Sequence, residues 1–273
     1  MPISSGSTAS CSSPENNSVK TVFINDTIRY VRKGYGLIVA SLLTFSFFFI
    51  LPALIKNYIW SCLINLAEKQ VTYFFLIFAT HEIIFLICNL MMWWIYTSKI
   101  PFFERYRINT NKKWPWEENN SEWRRIRAKS FKSLAFSHFA IVPSLLFLDI
   151  QNGVKMKISL EEFPSSIEII FQIFFFMFWE DFTFYWSHRT LHHKRIYPYI
   201  HKIHHEYNNP ISISSEYAHP LEFLIGNLVP SMIGPKILNT RVHLFTYLLW
   251  STLRILETVD GHCGYEFSWS PYR

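Results

Sequence analysis

The sequence predicts an all-α integral membrane protein, a bundle of about four transmembrane helices joined to a cytosolic, helical, histidine-rich metal domain. Three observations support this fold class. Half of the 273 residues are hydrophobic, they fall into long blocks, and six of the eleven histidines lie within residues 188–205. Long apolar blocks in a chain with only eight glycines favour a membrane bundle over helices buried in a soluble core.

Four blocks suit transmembrane helices. They are residues 34–55, the interval between Lys69 and Lys99, residues 133–148 and residues 169–187. A helix needs about 20 apolar residues to cross a bilayer, with about 17 as the lower end, so the third block is marginal. The blocks define a predicted transmembrane region, residues 34–187. The polar composition of residues 1–33 predicts a disordered cytosolic N-terminal segment.

Lysine and arginine predict the orientation of the bundle. Residues 100–132 contain nine of these basic residues against four acidic ones, and cytosolic loops are enriched in lysine and arginine. We therefore predict that loop 100–132 is cytosolic and that the fourth span returns the chain to the cytosol, where the histidine-rich region lies. Basic flanks beside an anionic leaflet account for the net charge of +6, and no nucleic-acid partner is predicted.

Several cofactor motifs do not occur in the sequence. There is no GxGxxG after a predicted strand, no phosphate-binding Walker loop and no CxxCH haem attachment motif. The chain therefore has no recognisable place for NAD(P)H, flavin or ATP. If it carries out redox chemistry, its electrons must come from another protein.

The first group of histidines can share one face of a helix. His188 and His192 are spaced i and i+4, which places one above the other. His193 is about 100° round the helix from His192 and is still able to turn toward the same cavity. Three imidazoles can thus approach one centre from the end of the last apolar block.

The second group follows a proline. Pro198 is predicted to open a new short helix, on which His201, His204 and His205 again share a face. Six imidazoles in two clusters suit two metal ions, and nitrogen-rich sites favour zinc, copper, iron or nickel over magnesium or calcium. The absence of cysteine and of clustered aspartates from these groups argues against structural zinc and against carboxylate-bridged di-iron.

Four blocks of sequence carry a family resemblance. HRTLHH, HKIHHEY, EYAHPLE and LETVDGHCGYEFSWSP resemble the fatty acid hydroxylase and sterol desaturase superfamily. The paired histidine boxes are typical of the whole superfamily. The blocks YAHPLE and ETVDGHCGYEF resemble its methylsterol monooxygenase (C-4 methylsterol oxidase) branch most. The resemblance covers most of the chain after about residue 80.

The resemblance implies an enzyme and its setting. It implies a multi-pass protein of the endoplasmic reticulum membrane with a cytosolic active site, where O2 and a non-haem di-iron centre oxidise the C-4 methyl group of 4-methylsterols in sterol biosynthesis. Cytochrome b5 and its reductase would pass on electrons from NAD(P)H. Two alternatives stay open: a hydroxylase or desaturase acting on a fatty acyl chain or another sterol position, and a truncated, inactive relative.

The resemblance also implies a set of metal ligands. They are His188, His192, His193, His201, His204, His205 and His262. Relatives differ in the spacing of the first box, so the choice between His192 and His193 stays open. The superfamily has a third HxxHH box downstream of HCGY, and this sequence ends at Arg273 before reaching it. Seven histidines are expected to hold one iron well or two poorly.

Other polar residues are candidates for holding the ligand histidines in place. Those predicted to accept a hydrogen bond from a ligand ring are Glu180, Asp181 and His219. The alternative for the two acids is an interfacial pair with Arg189 or Lys194. His219 and Glu222, taken together, have the same two readings: a hydrogen bond to a ligand ring, or helix entry.

The remaining predictions concern the membrane region and its edge. His81 and Glu82 are predicted to form a buried polar pair that could line a substrate channel, and His138 and His243 to be packing histidines. Within the predicted metal-binding region, residues 188–273, the proline-interrupted stretch 221–256 is predicted to be an interfacial hairpin. A sterol or other lipid dissolved in the membrane would enter there.

Overall fold

The computed structural model of the protein describes residues 31, 33–118 and 120–272. Among these residues there are helices and turns, and two isolated β-bridges in place of any strand. The prediction of an all-helical fold is therefore confirmed. Most of the predicted disordered segment, residues 1–33, lies outside the described residues.

Long helices account for most of the described chain. They are α1 (Lys33–Ile64), α2 (Lys69–Ser98), α3 (Ser121–Gln151), α4 (Ser166–Leu191), α5 (Pro220–Arg241) and α6 (Leu244–His262). Two short helices, Pro101–Glu104 and Pro115–Glu118, lie in the loop between α2 and α3. Two 3₁₀ helices, His201–Glu206 and Ser212–Ser215, lie between α4 and α5.

Four helices, α1, α2, α3 and α5, are long and apolar enough to cross a membrane, so the chain is a multi-pass membrane protein. Helices α1 to α3 coincide with three of the predicted spans. The fourth is α5, which the sequence analysis assigned to the hairpin 221–256. Helix α4 carries the predicted span 169–187 but contains Glu168, Glu180 and Asp181 and is not among the four. Its position relative to the bilayer stays a prediction.

Three helices continue through prolines that the sequence analysis could read as breaks. A π-helical turn precedes each proline: Ser46–Ile50 before Pro52, Ser137–Ile141 before Pro143, and Phe223–Leu228 before Pro230. Proline has no N–H and clashes with the carbonyl one turn earlier, and a wider turn at that point lets the helix continue. This is why α5 is one continuous helix, although its prolines suggested an interrupted hairpin.

The helices around the histidine region pack closely. A Cβ atom added to Gly234 of α5 would lie 2.7 Å from the Phe176 Cα of α4, so only glycine allows this approach of the two helices. The Trp250 indole N–H of α6 donates to the Ser231 carbonyl of α5 at 2.8 Å. Helices α4, α5 and α6 therefore form one packed unit.

The C-terminal end of α2 anchors two segments of the site. The Tyr96 hydroxyl donates to the Cys263 carbonyl at 2.8 Å and accepts from the Ser212 N–H at 3.0 Å. Tyr96 is only 1% exposed, so water does not compete with these bonds. One hydroxyl thus ties the turn after His262 to the segment that follows the second histidine box.

The α2–α3 loop pairs with the C-terminal segment. The Glu266 N–H donates to the Tyr106 carbonyl at 2.7 Å, and the Ile108 N–H donates to the Gly264 carbonyl at 3.0 Å. Gly264 has φ +74°, a conformation that favours glycine, and a Cβ there would lie 3.1 Å from the Trp114 ring. The basic loop and the segment that follows His262 therefore lie side by side.

Candidate metal centre

Four histidine Nε2 atoms meet beside the C-terminal end of α4. The Nε2 atoms of His188 and His192 are 3.2 Å apart, those of His192 and His201 are 3.1 Å apart, and those of His201 and His205 are 3.0 Å apart. Each Nε2 offers either one proton or one lone pair, so the two middle rings cannot satisfy both of their neighbours by hydrogen bonding. We call these four residues the four-histidine group.

A buried carboxylate fixes the ring of His201. Glu222 Oε1 lies 2.6 Å from His201 Nδ1, and His201 is 0% exposed. The carboxylate accepts the Nδ1–H, which leaves the Nε2 lone pair directed at His192 and His205. Metal-binding histidines commonly donate their second ring nitrogen to a carboxylate or carbonyl in this way.

A second pair of rings faces each other nearby. His204 Nδ1–H donates to the Tyr217 carbonyl at 3.0 Å, and His262 Nδ1–H donates to the Thr258 carbonyl at 2.8 Å. A carbonyl can only accept, so both protons are on Nδ1 and both Nε2 atoms carry lone pairs. These two Nε2 atoms are 3.3 Å apart, an arrangement that a cation between them would stabilise.

The spacing of the nitrogens fits metal coordination. Imidazole binds zinc-like ions at about 2.0–2.1 Å, and two such ligands separated by 90–110° lie roughly 2.8–3.4 Å apart. The contacts between Nε2 atoms span 3.0 to 3.3 Å, and one atom from each of His188, His192 and His201 lies within 4.8 Å of the others. The donor atoms of both groups therefore suit a nitrogen-ligated transition metal.

Burial keeps the rings in the form that a metal requires. Burial, together with the neighbouring His188, lowers the pKa of His201 to about 3. Burial, together with His262, lowers the pKa of His204 to about 4. Both rings are therefore neutral at pH 7, and only neutral imidazole can bind a metal.

The structure separates the two adjacent histidines of the first box. His192 directs its Nε2 into the four-histidine group. His193 is exposed, and its Nδ1 accepts the Arg195 N–H at 3.3 Å. Six of the seven predicted ligands thus come together in two groups, and His193 is not among them.

The second short helix differs from its prediction. Pro198 lies in a run of turns, and the helix begins three residues later, at His201, in 3₁₀ form. In a 3₁₀ helix side chains at i and i+3 eclipse, and the rings of His201 and His204 are stacked with centroids 5.7 Å apart. Stacking turns these two rings toward different partners, His205 and His262.

The residues predicted to support the ligands have other partners. Glu180 forms an ion pair with Arg254 of α6 at 2.7 Å, and Asp181 is exposed. His219 caps α5, because its Nδ1 accepts the Leu221 N–H at 3.1 Å. Glu222 instead holds a ligand ring. The signal for it in the sequence is a carboxylate three residues after His219 in YAHPLE.

Two buried histidines outside the boxes have different roles. His243 caps α6 by accepting the Phe245 N–H at 3.1 Å. The prediction that His138 is a packing residue is wrong, because its ring faces the carboxylates of Glu82 at 3.1 Å and Glu216 at 2.8 Å. His81 and Glu82 form the predicted polar pair, with Nδ1 and Oε1 3.0 Å apart.

A largely apolar cavity lies between α2, α3, α5 and α6. Its wall includes Ile77, Leu146, Phe223 and Trp250, from α2, α3, α5 and α6. Thr258, whose carbonyl holds His262, also lines it. Thr258 links this cavity to the histidine pair, so an apolar ligand held there would lie next to the helical turn that orients His262.

Comparison with known proteins identifies the family of the chain. A fatty acid hydroxylase family model matches residues 173–273. The chain is 37% identical over 195 residues to methylsterol monooxygenase 2-2 of Arabidopsis thaliana, covering 71% of this chain and 68% of that protein. It is 34% identical to a very-long-chain aldehyde decarbonylase of Oryza sativa subsp. indica over 71% and 68% of the two chains.

A fungal relative matches to a similar extent. The chain is 33% identical to a C-4 methylsterol oxidase of Schizosaccharomyces pombe, over 71% of this chain and 62% of that protein. No solved structure matches. The extent and identity of the plant matches, together with histidine boxes that converge in space, show that the chain belongs to the fatty acid hydroxylase family, as do the methylsterol monooxygenases it resembles.

Proposed function

We propose that the chain is an iron-dependent, O2-using monooxygenase that oxidises the C-4 methyl group of 4-methylsterols. The observation that carries this proposal is the convergence of six Nε2 atoms beside an apolar cavity, in two groups with spacings of 3.0 to 3.3 Å. The names of the plant and fungal relatives, methylsterol monooxygenase and C-4 methylsterol oxidase, support the reaction class and the substrate.

In this proposal two iron ions occupy the two groups. The four-histidine group holds one iron, and His204 and His262 contribute to the position of the second. Nitrogen-rich sites suit iron among the transition metals, and iron supplies the capacity to activate O2 for attack on a C–H bond. Water or further ligands would complete the coordination of the second iron.

The chain's own residues orient the ligands and exclude water. Glu222 and the carbonyls of Tyr217 and Thr258 accept the Nδ1 protons of three ligand rings. These bonds keep the Nε2 lone pairs of His201, His204 and His262 directed toward the metal positions. The cavity wall contributes apolar side chains that position a lipid methyl group and keep the site dry.

The contacts of the basic loop support a cytosolic site. Lys129, in the predicted cytosolic stretch 100–132, pairs with Glu206 at 2.9 Å, and Glu206 ends the helix that carries the second box. The histidine groups therefore lie on the basic side of the bundle, which the positive-inside rule assigns to the cytosol. We place the protein in the endoplasmic reticulum membrane, with cytochrome b5 and its reductase as electron donors.

The substrate is tested by offering three lipid classes in separate assays. Membranes containing the full chain are supplied with NADPH, cytochrome b5, its reductase and one of three lipids: a 4,4-dimethylsterol, a long-chain acyl lipid or a very-long-chain aldehyde. Mass spectrometry then follows oxygenated or shortened products. We expect a 4-hydroxymethyl or 4-carboxy sterol, whereas product from the acyl lipid or aldehyde alone would reject the C-4 assignment.

The metal assignment is tested by a pair of matched histidine variants, one in each of the first two boxes. His201→Asn removes a buried nitrogen of the four-histidine group, whereas His193→Asn changes an exposed ring that lies outside it. We expect the first to lose iron and sterol product and the second to keep both. Equal iron content and turnover in the two variants would refute the proposed ligand set.

A further inference from the structure

A second cluster of buried polar side chains lies outside the histidine boxes. It consists of His81 and Glu82 of α2, His138 of α3, and Glu216, which precedes α5; we call it the His81–His138 cluster. His138 is 3% exposed and Glu216 is 6% exposed. Neither belongs to a box or holds one of the ligand rings described above.

Glu82 orients both rings of this cluster. Its Oε1 lies 3.0 Å from His81 Nδ1 and its Oε2 lies 3.1 Å from His138 Nδ1. An ionised carboxylate can only accept, so it takes an Nδ1–H from each ring. Both neutral rings then present their Nε2 lone pairs on the side away from Glu82.

The two Nε2 atoms face one oxygen of Glu216. Glu216 Oε2 lies 2.8 Å from His138 Nε2 and 3.5 Å from His81 Nε2. Among the described residues, His138 Nε2 and Glu216 Oε2 are both fully buried and neither has a hydrogen-bond partner. Their close approach is therefore not a well-formed hydrogen bond, although leaving such groups unsatisfied costs about 1–3 kcal/mol each.

A bound cation would satisfy all three atoms. Zinc binds imidazole nitrogen at about 2.0–2.1 Å and carboxylate oxygen at about 2.0–2.2 Å, so two such ligands at 90–110° lie roughly 2.8–3.5 Å apart. The two distances to Glu216 Oε2, 2.8 and 3.5 Å, fall at the two ends of that range. Two imidazoles and one carboxylate form a donor set used for zinc and for ferrous iron, with positions left open for other ligands. His81 and Glu216 also line the cavity, so an open position can face it.

We propose that His81, His138 and Glu216 bind a divalent transition metal ion, of the zinc or ferrous type, separate from the metals of the histidine boxes. Glu82 is the residue that positions the two rings. The ion joins α2, α3 and the segment before α5 at the wall of the cavity. The alternative is a metal-free arrangement, in which His81 and His138 are both protonated and form ion pairs with Glu82 and Glu216.

The test counts metal ions on the full chain purified in detergent. The chain is stripped with a chelator and reloaded with Co²⁺ or Zn²⁺, and bound metal is measured by mass spectrometry and by the cobalt absorption spectrum. We expect His138→Asn and Glu216→Gln each to bind one ion fewer per chain than wild type. His243→Asn, a matched change at a buried helix-capping histidine, keeps the wild-type number.

Glu82→Gln provides a graded readout that does not depend on losing a ligand. Residues that hold ligand rings typically contribute 10–100-fold to metal affinity, so we expect this variant to keep the ion but to bind it about 10–100-fold more weakly. If His138→Asn does not fold, Glu82→Gln decides, and an affinity equal to that of wild type overturns the proposal.

A box variant separates this inference from the proposed function. The double variant His192→Asn/His201→Asn should lose the metal of the four-histidine group. An ion that stays bound to this variant but is lost when Glu216→Gln is added supports the third site, whatever the enzyme's activity. Equal metal content in wild type and His138→Asn overturns it and leaves the imidazolium–carboxylate arrangement.

Discussion

The contact between Glu222 and His201 should control metal affinity. It is a buried bond of 2.6 Å to a ring that is 0% exposed, so water cannot replace the carboxylate. Glu222→Leu leaves the Nδ1–H unsatisfied, at a cost of about 1–3 kcal/mol, or lets the ring carry its proton on Nε2 and withdraw the lone pair. We expect metal affinity to fall about 10–100-fold, equivalent to ~1.4–2.8 kcal/mol.

The affinity is measured by titrating stripped, detergent-purified chain with metal against a fluorescent chelator. Glu222→Gln keeps an acceptor oxygen and should lose less than tenfold, because the amide retains the hydrogen bond without its charge. Glu257→Gln, a change at an exposed acid paired with Arg254, serves as control and should bind as wild type does. A Glu222→Leu chain that binds metal as tightly as wild type would refute the reasoning.

Two further predictions concern stability. Burial lowers the pKa of His243 to about 4, so between pH 6.5 and 4 the unfolded chain takes up a proton that the folded chain does not. Wild type should therefore lose about 3 kcal/mol more stability over this interval than His243→Asn, and parallel curves of thermal unfolding against pH would contradict this. Gly234→Ala forces a Cβ to 2.7 Å from the Phe176 Cα and should cost about 1–3 kcal/mol. Gly261→Ala, in helix α6 with nothing within 4 Å, should stabilise by about 0.5–1 kcal/mol; equal unfolding temperatures for the two variants would show that the contact between α4 and α5 is not limiting.

Local sequence patterns predicted the helices and the ligand types because those features depend on neighbours along the chain. Apolar blocks gave three of the four helices able to cross a membrane. Histidine spacing identified five of the six rings that converge, and the family resemblance supplied the sixth, His262. Patterns within one element could not choose between His192 and His193. That choice depends on how the turns after Leu191 bring His201 back against the end of α4.

The features missed by the sequence analysis depend on contacts between distant segments. Sequence patterns could not select Glu222 over Glu180, Asp181 and His219, because its role depends on the approach of α5 to His201, 21 residues away. His138 meets Glu82 of α2, 56 residues away, and Glu216 before α5, so nothing near His138 in the sequence distinguishes it from a packing histidine. The continuity of α5 depends on a π turn before Pro230, which hydrophobic periodicity does not reveal.

The separation of His204 from His262 has a consequence for biosynthesis. The four-histidine group is encoded within residues 188–205, whereas the partner of His204 is 58 residues further along. During translation the four ligands of the first group, and Glu222 that orients His201, are made before the ring that faces His204. The turn after that ring is held by Tyr96, at the end of a helix made much earlier, whose hydroxyl donates to the Cys263 carbonyl. The second pair of rings can therefore form only after synthesis has passed Cys263.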